Sequence, residues 1–177
     1  MSEFAIVHRS ALAPAPRVAS HRIAIIALPE GHVVQVFERA PGADLLAVLA
    51  DAAGTAPHAV RTAGPGQWFI VGDEPLPRDT FLDLANALGP HAATVDQSHG
   101  RVRICVEGTV VERMLAKGTA IDLDIGAFPV GQSAATLLGH VSVHLTRLDA
   151  TAFEIMVLRG FASSLWESLE RMSAEFG

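Results

Sequence analysis

Apolar and polar positions change period repeatedly along this chain, and the period of each run predicts its local structure. Residues His21–Leu28 and His32–Glu38 are rich in Val and Ile and read as strands. Pro29-Glu30-Gly31 between them reads as a turn. Leu45, Leu46, Val48 and Leu49 fall on one helical face, predicting a helix over Pro41–Ala53 that Gly54 stops. His58–Ala63 and Gln67–Val71 read as strands around a hairpin turn at Gly64-Pro65-Gly66. Phe81, Leu82, Ala85 and Leu88 predict a helix over Asp79–Leu88, capped by Asp79 or Thr80 and ended by Gly89-Pro90.

The same order of signals then returns. Arg101–Val106 alternates Val102, Ile104 and Val106 against Arg101, Arg103 and Cys105, a strand pattern. Thr109–Lys117 reads as a helix with Val110, Val111, Met114 and Leu115 on its face, stopped by Gly118. Ala135–Leu148 and Phe153–Leu158 read as strands around Asp149-Ala150-Thr151. Ser163–Glu175 reads as a helix turning Leu165, Trp166, Leu169 and Met172 inward.

The expected fold is therefore α+β, built of pseudo-duplicated β-α-β-β-α units, one over about 21–90 and one over about 91–177. Together these form a single domain over 21–177. Residues 1–20 carry Pro14 and Pro16 in an Ala-rich run and read as an extended arm, neither helix nor central strand. The halves differ in length at one place, where Thr119–Ala134 stands against only Thr55-Ala56-Pro57. Long insertions are usually functional or disordered, so this stretch is the first place to seek a role.

Composition narrows the class. Half of the 177 residues are hydrophobic and only 18% are charged, against about 25% in an average domain. That excludes disorder along the whole chain and suits a protein that hides apolar surface against a partner. The run Ile23–Leu28 is far shorter than the ~20 residues that span a bilayer, so no membrane role is expected. The first residues lack the basic-then-apolar order of a secretory signal, and a cytoplasmic location is expected. A formal net charge of −6 argues against a phosphate-binding surface for nucleic acid. The single cysteine excludes an intrachain disulfide.

Candidate chemistry is sparse. Asp96, Ser98 and His99 supply the residue types of a hydrolase triad, but triad members meet through the fold and no Gly-x-Ser-x-Gly elbow is present. The plainer reading is a polar lead-in to the strand at Arg101. Asp122 and Asp124 could offer carboxylate oxygens to a divalent cation, yet the further ligands of a calcium loop do not follow. His140 and His144 share a face if Ala135–Leu148 is one strand, and zinc would need a third ligand such as Cys105 or Asp149. Cys105 reads as a small core residue beside Arg103. Gly64-Pro65-Gly66 lacks the Lys-Ser/Thr of a phosphate loop, and no Gly-x-Gly-x-x-Gly occurs. Trp68 and Trp166 are expected in the core. No catalytic, cofactor-binding or metal residue is assigned.

The second half resembles the gamma subunit of heterotetrameric sarcosine oxidase. The residues that carry this are Gly118, Ile121-Asp122-Leu123, Phe128-Pro129-Val130-Gly131, Ala135-Thr136-Leu137-Leu138 and Phe161-Ala162-Ser163-Ser164-Leu165-Trp166 followed by Leu169. The likeness is clearest over about Val95 to Gly177. In the first half the order of elements and Gln67-Trp68-Phe69-Ile70-Val71-Gly72 agree with it. The family is also similar to the folate-binding domain of the aminomethyltransferase of glycine cleavage, the T-protein, whose α+β core is pseudo-duplicated.

The resemblance implies a small non-catalytic subunit that packs against the alpha subunit of a complex oxidatively demethylating sarcosine to glycine. It implies alpha, beta and delta subunits as partners. FAD, FMN, NAD and tetrahydrofolate would be held by the partner subunits and none by this chain. Ile121, Asp122, Leu123, Phe128 and Pro129 of the insertion are the expected partner contacts, together with the N-terminal arm. Two alternatives stand beside this. One is the equivalent subunit of an N-methylglutamate dehydrogenase. The other is a free-standing folate-binding protein of T-protein type, for which Asp96 and Arg103 have suitable chemistry.

Overall fold

The computed structural model describes residues 9–12, 17–39, 45–52 and 57–177. Among them the chain forms ten strands and four α-helices. In order these are β1 (Arg17–Ala19), β2 (Ala24–Ala27), β3 (His32–Glu38), α1 (Leu45–Ala52), β4 (Val60–Gly64), β5 (Gln67–Gly72), α2 (Arg78–Leu88) and β6 (Ala92–Asp96). Then follow β7 (Arg101–Glu107), α3 (Val111–Leu115), β8 (Ser133–Leu138), β9 (Val141–Asp149), β10 (Ala152–Leu158) and α4 (Ala162–Ser173). No helix among the described residues is long and apolar enough to cross a membrane.

The strands make two antiparallel sheets, one ordered β1-β2-β7-β10-β9-β8 and the other β4-β5-β3-β6. Alternation along each strand gives every sheet two working faces. In the four-stranded sheet, Val34, Val36 and Ile70 turn toward Leu45 and Leu49 of α1 and Leu84 and Leu88 of α2. Their neighbours Val33, Phe69 and Val71 turn the other way and meet Met156 of β10. In the six-stranded sheet, Ile104, Val106, Val143, Leu145, Phe153 and Ile155 pack on Val111, Met114 and Leu115 of α3 and Leu165 and Leu169 of α4. The result is four layers: helices, sheet, sheet, helices.

The pseudo-duplication is visible in the topology. A central strand (β3 or β7) leads into a helix, and a hairpin then returns to lie beside that central strand as β5 or β10. The remaining side of β3 is taken by β6, whereas the matching side of β7 is taken by β2. Residues 29–31 are therefore not a hairpin turn between paired strands, because β2 and β3 belong to different sheets. They carry the chain across, and Gly31 passes so close that an added Cβ would stand 2.0 Å from the Gly72 carbonyl oxygen.

Three further expectations change. Ala135–Leu148 is two strands, because the chain reverses at Gly139-His140 with Gly139 at φ 63°, a conformation glycine adopts readily. β6 forms over Ala92–Asp96, where no element was expected, and of the residues read as a polar lead-in only Asp96 belongs to it. Within the expected arm, Arg17–Ala19 pairs with β2 as an edge strand, while residues 1–8 and 13–16 lie outside the described ones. The start of the first helix, residues 41–44, and its stop at Gly54 also lie outside them.

Candidate functional site

Between the two sheets, where an apolar seam would suffice, the sequence places charge. Glu154 lies in the run Phe153-Glu154-Ile155-Met156-Val157 of β10, and its alternation turns the carboxylate toward the four-stranded sheet. Arg103 of β7 grips it with parallel bonds, Nε to Oε1 and Nη2 to Oε2, each 2.9 Å. Arg61 of β4 reaches the same carboxylate from the opposite sheet through Nη1 to Oε1 and through Nη2 to Oε2 at 3.1 Å. Arg103 also donates to the Gly72 carbonyl at 3.0 Å and lies 2.9 Å from Asp73. All three central side chains are buried.

Burial alone would raise the Glu154 pKa, but the Arg103 hydrogen bonds and the Arg61 charge outweigh it and lower it to about 2. The Glu154 charge is met by bonds from both arginines, which is the condition for burying it. Beside it, His144 of β9 donates Nε2–H to the Thr62 carbonyl at 2.9 Å and packs edge-on against Phe69. Desolvation holds its pKa below the usual imidazole value, so it sits there neutral.

Sequence reasoning missed this cluster. Its members come from strands far apart in the chain, and no local spacing links them. The one available signal was a carboxylate in a strand otherwise apolar on both faces, which must find a cation across the fold.

The candidates named from sequence fall elsewhere. Asp96 accepts from the Ser98 amide at 2.9 Å and hydroxyl at 2.5 Å, and the Ser98 oxygen accepts from the Val33 amide at 3.1 Å. Burial would raise the Asp96 pKa, yet these bonds hold it below the usual carboxylate value. Ser98 is thus a link between β3 and β6, aimed at a carboxylate and not at an imidazole. Asp122 and Asp124 each accept a backbone amide within their own loop, from Asp124 at 3.0 Å and Gly126 at 2.8 Å. His140 stands exposed in the β8–β9 turn and His144 is buried in β9, so they do not share a strand face as expected. Cys105 is buried and its thiol is pushed up to about 11, chiefly by desolvation. Among the described residues no three His, Cys, Asp or Glu side chains gather as metal ligands. Asp96 and Arg103 are each engaged with other partners, on Ser98 and on Glu154 with Gly72 respectively. Trp166 is buried and Trp68 partly so, each against a helix-side core.

The insertion is held from within. Leu123 and Phe128 are buried in the helix-side core of the six-stranded sheet, with Ile121 packed against it. The buried Arg147 guanidinium donates to the Leu123 carbonyl, to Glu112 at 2.8 Å and to the Ala150 carbonyl at 2.7 Å. Gly131 donates to the Arg147 carbonyl at 2.9 Å, closing the segment onto β9. Of the five expected contact residues, only Asp122 and Pro129 are exposed. Their neighbours Ile125 and Val130 are exposed too, at 49% and 43%. A second exposed apolar pair, Leu158 and Phe161, lies where β10 leads into α4.

Comparison with known proteins adds context to this geometry. Residues 32–175 match the sarcosine oxidase, gamma subunit family. The fold is similar to a chain of the heterotetrameric sarcosine oxidase from Corynebacterium sp. U-96 in complex with pyrrole 2-carboxylate. That likeness has a TM-score of 0.81 at 24% identity and covers 96% of each chain. It is also similar to the glycine cleavage system aminomethyltransferase T from Bartonella henselae, with a TM-score of 0.60 at 16% identity. There it covers 84% of this chain and 45% of that one. A sequence search of curated proteins returned no match.

Proposed function

The chain belongs to the sarcosine oxidase gamma subunit family, and on that premise we propose that it is the small companion subunit of a sarcosine oxidase. The complex would demethylate sarcosine oxidatively to glycine in the cytoplasm. FAD, FMN, NAD and tetrahydrofolate would be held by the larger alpha and beta subunits, with a delta subunit completing the assembly. This chain contributes no catalytic group in that reading; its task is to pack against the alpha subunit.

The observation that carries the reading is the family match over residues 32–175. Two physical features agree with it. The charged groups best placed for chemistry, Arg61, Arg103 and Glu154, are engaged with one another between the sheets. The insertion, fixed by Arg147 and anchored by Leu123 and Phe128, presents Ile125 and Val130 outward. Exposed apolar side chains on a rigid loop suit a permanent interface, which is richer in apolar contact than a transient one. The contact surface is accordingly assigned to Asp122, Ile125, Pro129 and Val130, with Leu123 and Phe128 acting beneath it as supports.

Co-expression with the large subunits, with a tag on this chain, tests the proposal. A yellow, flavin-bearing complex retained on the column is the expected result. A colourless single species would overturn it, and titration with tetrahydrofolate would then decide for a free-standing folate-binding protein.

A further inference from the structure

A cavity of about 290 Å³ opens beside the seam between the sheets, walled by Leu12, Ala27, Leu28, Pro29, Val33 and Val102. That volume lies just under the range for drug-sized sites, about 300–1,000 Å³, and suits a smaller molecule. Three charged residues line it. Arg103 is bound to Glu154, Asp73 and Gly72, and Glu30 is paired with Arg159 at 3.1 Å. Arg101 differs from both. Its guanidinium carbon lies over the Phe69 ring, 4.7 Å from the centroid, and its Nε–H is buried without an acceptor. Among the described residues no carboxylate is paired with it.

A half-buried cation seated over an aromatic ring, with its Nε–H unmet and an apolar cavity alongside, is a one-sided arrangement. Guanidinium donors match the two oxygens of a carboxylate, and desolvation raises the cost of leaving them unmet. The same desolvation pushes the Arg101 pKa down, an effect that a bound anion would reverse. We infer that this cavity binds a small monocarboxylate with an apolar body, its carboxylate on Arg101 and its body against Leu28, Pro29 and Val33. The ion pair would form on the open edge of the guanidinium while Phe69 keeps the opposite face covered. This inference does not depend on the subunit reading.

The test is a titration of the full chain with benzoate and with benzamide, its uncharged counterpart of nearly equal size. The readout is the ¹⁵N resonance of the arginine Nε–H groups. Saturable benzoate binding that moves one arginine Nε signal, with benzamide at least tenfold weaker, is the expected result. R101Q should lose the benzoate response at least tenfold, and R101K should fall between. Equal affinity for the two compounds, no saturation in the millimolar range, or undiminished binding to R101Q would each overturn the site. The benzoate-to-benzamide ratio on the unaltered chain decides the matter even if R101Q does not fold. Repeating the titration on an assembled complex separates the sources of the carboxylate. Binding retained there identifies a free small anion, and binding lost on assembly identifies a carboxylate of the partner.

Discussion

Arg103 and Glu154 meet as diagonal neighbours on adjacent strands, since β7 and β10 pair Arg103 with Met156 and Cys105 with Glu154. Their two 2.9 Å bonds cross the ladder on the face that meets the other sheet. Arg61 then joins that sheet to them. The cluster is thus a clasp between layers as well as a cross-strand pair.

Removing Glu154 leaves Arg61 buried without a counter-charge and Arg103 with Asp73 alone. Glu154→Ala should cost about 3–5 kcal/mol in urea unfolding, because two arginines lose their shared partner. Replacing Arg61, Arg103 and Glu154 together with apolar residues of similar volume should cost far less than the single change. A near-neutral Glu154→Ala would show the clasp to be dispensable.

The clasp also sets an acid limit. The Glu154 pKa falls from the ordinary 4.5 to about 2 on folding, so the unfolded chain takes up its proton first as pH falls. Stability from this group should hold above about pH 4.5 and decline as pH drops toward 2. Glu154→Gln should flatten the stability profile across that window, measured by urea midpoints at successive pH values.

Cys105 should be silent in the folded protein. With its thiol pushed up to about 11 and its side chain buried, it should not react with a thiol reagent at pH 8. One equivalent should react on unfolding. Rapid labelling under native conditions would contradict this.

Two kinds of residue in the insertion should separate in a mutational series. Phe128→Ala should cost about 3–5 kcal/mol through the cavity it leaves. Ile125→Asp and Val130→Asp should change stability by no more than about 0.5 kcal/mol, as surface substitutions do. Those two should instead abolish retention of the large subunit on an affinity column. Unchanged retention would move the contact surface away from the insertion.

How much of this was legible beforehand depends on how local each signal is. The strands at His32–Glu38 and Arg101–Glu107 and the helix at Arg78–Leu88 match their predicted ranges to within a residue, because each carries its own alternation or helical face. Residues 92–96 gave no such signal: Ala-Ala-Thr-Val-Asp alternates weakly, and its partner β3 lies far back in the chain. The reversal at Gly139-His140 was hidden by the apolar residues flanking it, which read as one continuous strand. Leu123 and Phe128 stand out in the sequence through the motifs of the resemblance and are expected there as partner contacts, yet both are buried. Only the packing distinguishes an inward anchor from an outward contact. Arg101 and Arg103 look alike in sequence, and their difference, one paired and one not, is set wholly by what the opposite sheet brings near.

The position of β2 bears on the order in which this protein assembles during synthesis. Every strand of the four-stranded sheet comes from one stretch, His32 to Asp96, and is complete once that stretch has left the ribosome. β2 is made before any of them, yet it waits for β7, which follows all of them. The Ala-Ile-Ile-Ala segment therefore has only the short edge strand β1 beside it, and its other edge stays open while the first sheet closes. That interval is when a nascent chain is open to misassociation and to chaperone capture. A circular permutant carrying residues 17–28 after Gly177 would shorten it, because β2 would then emerge with its partner already in place.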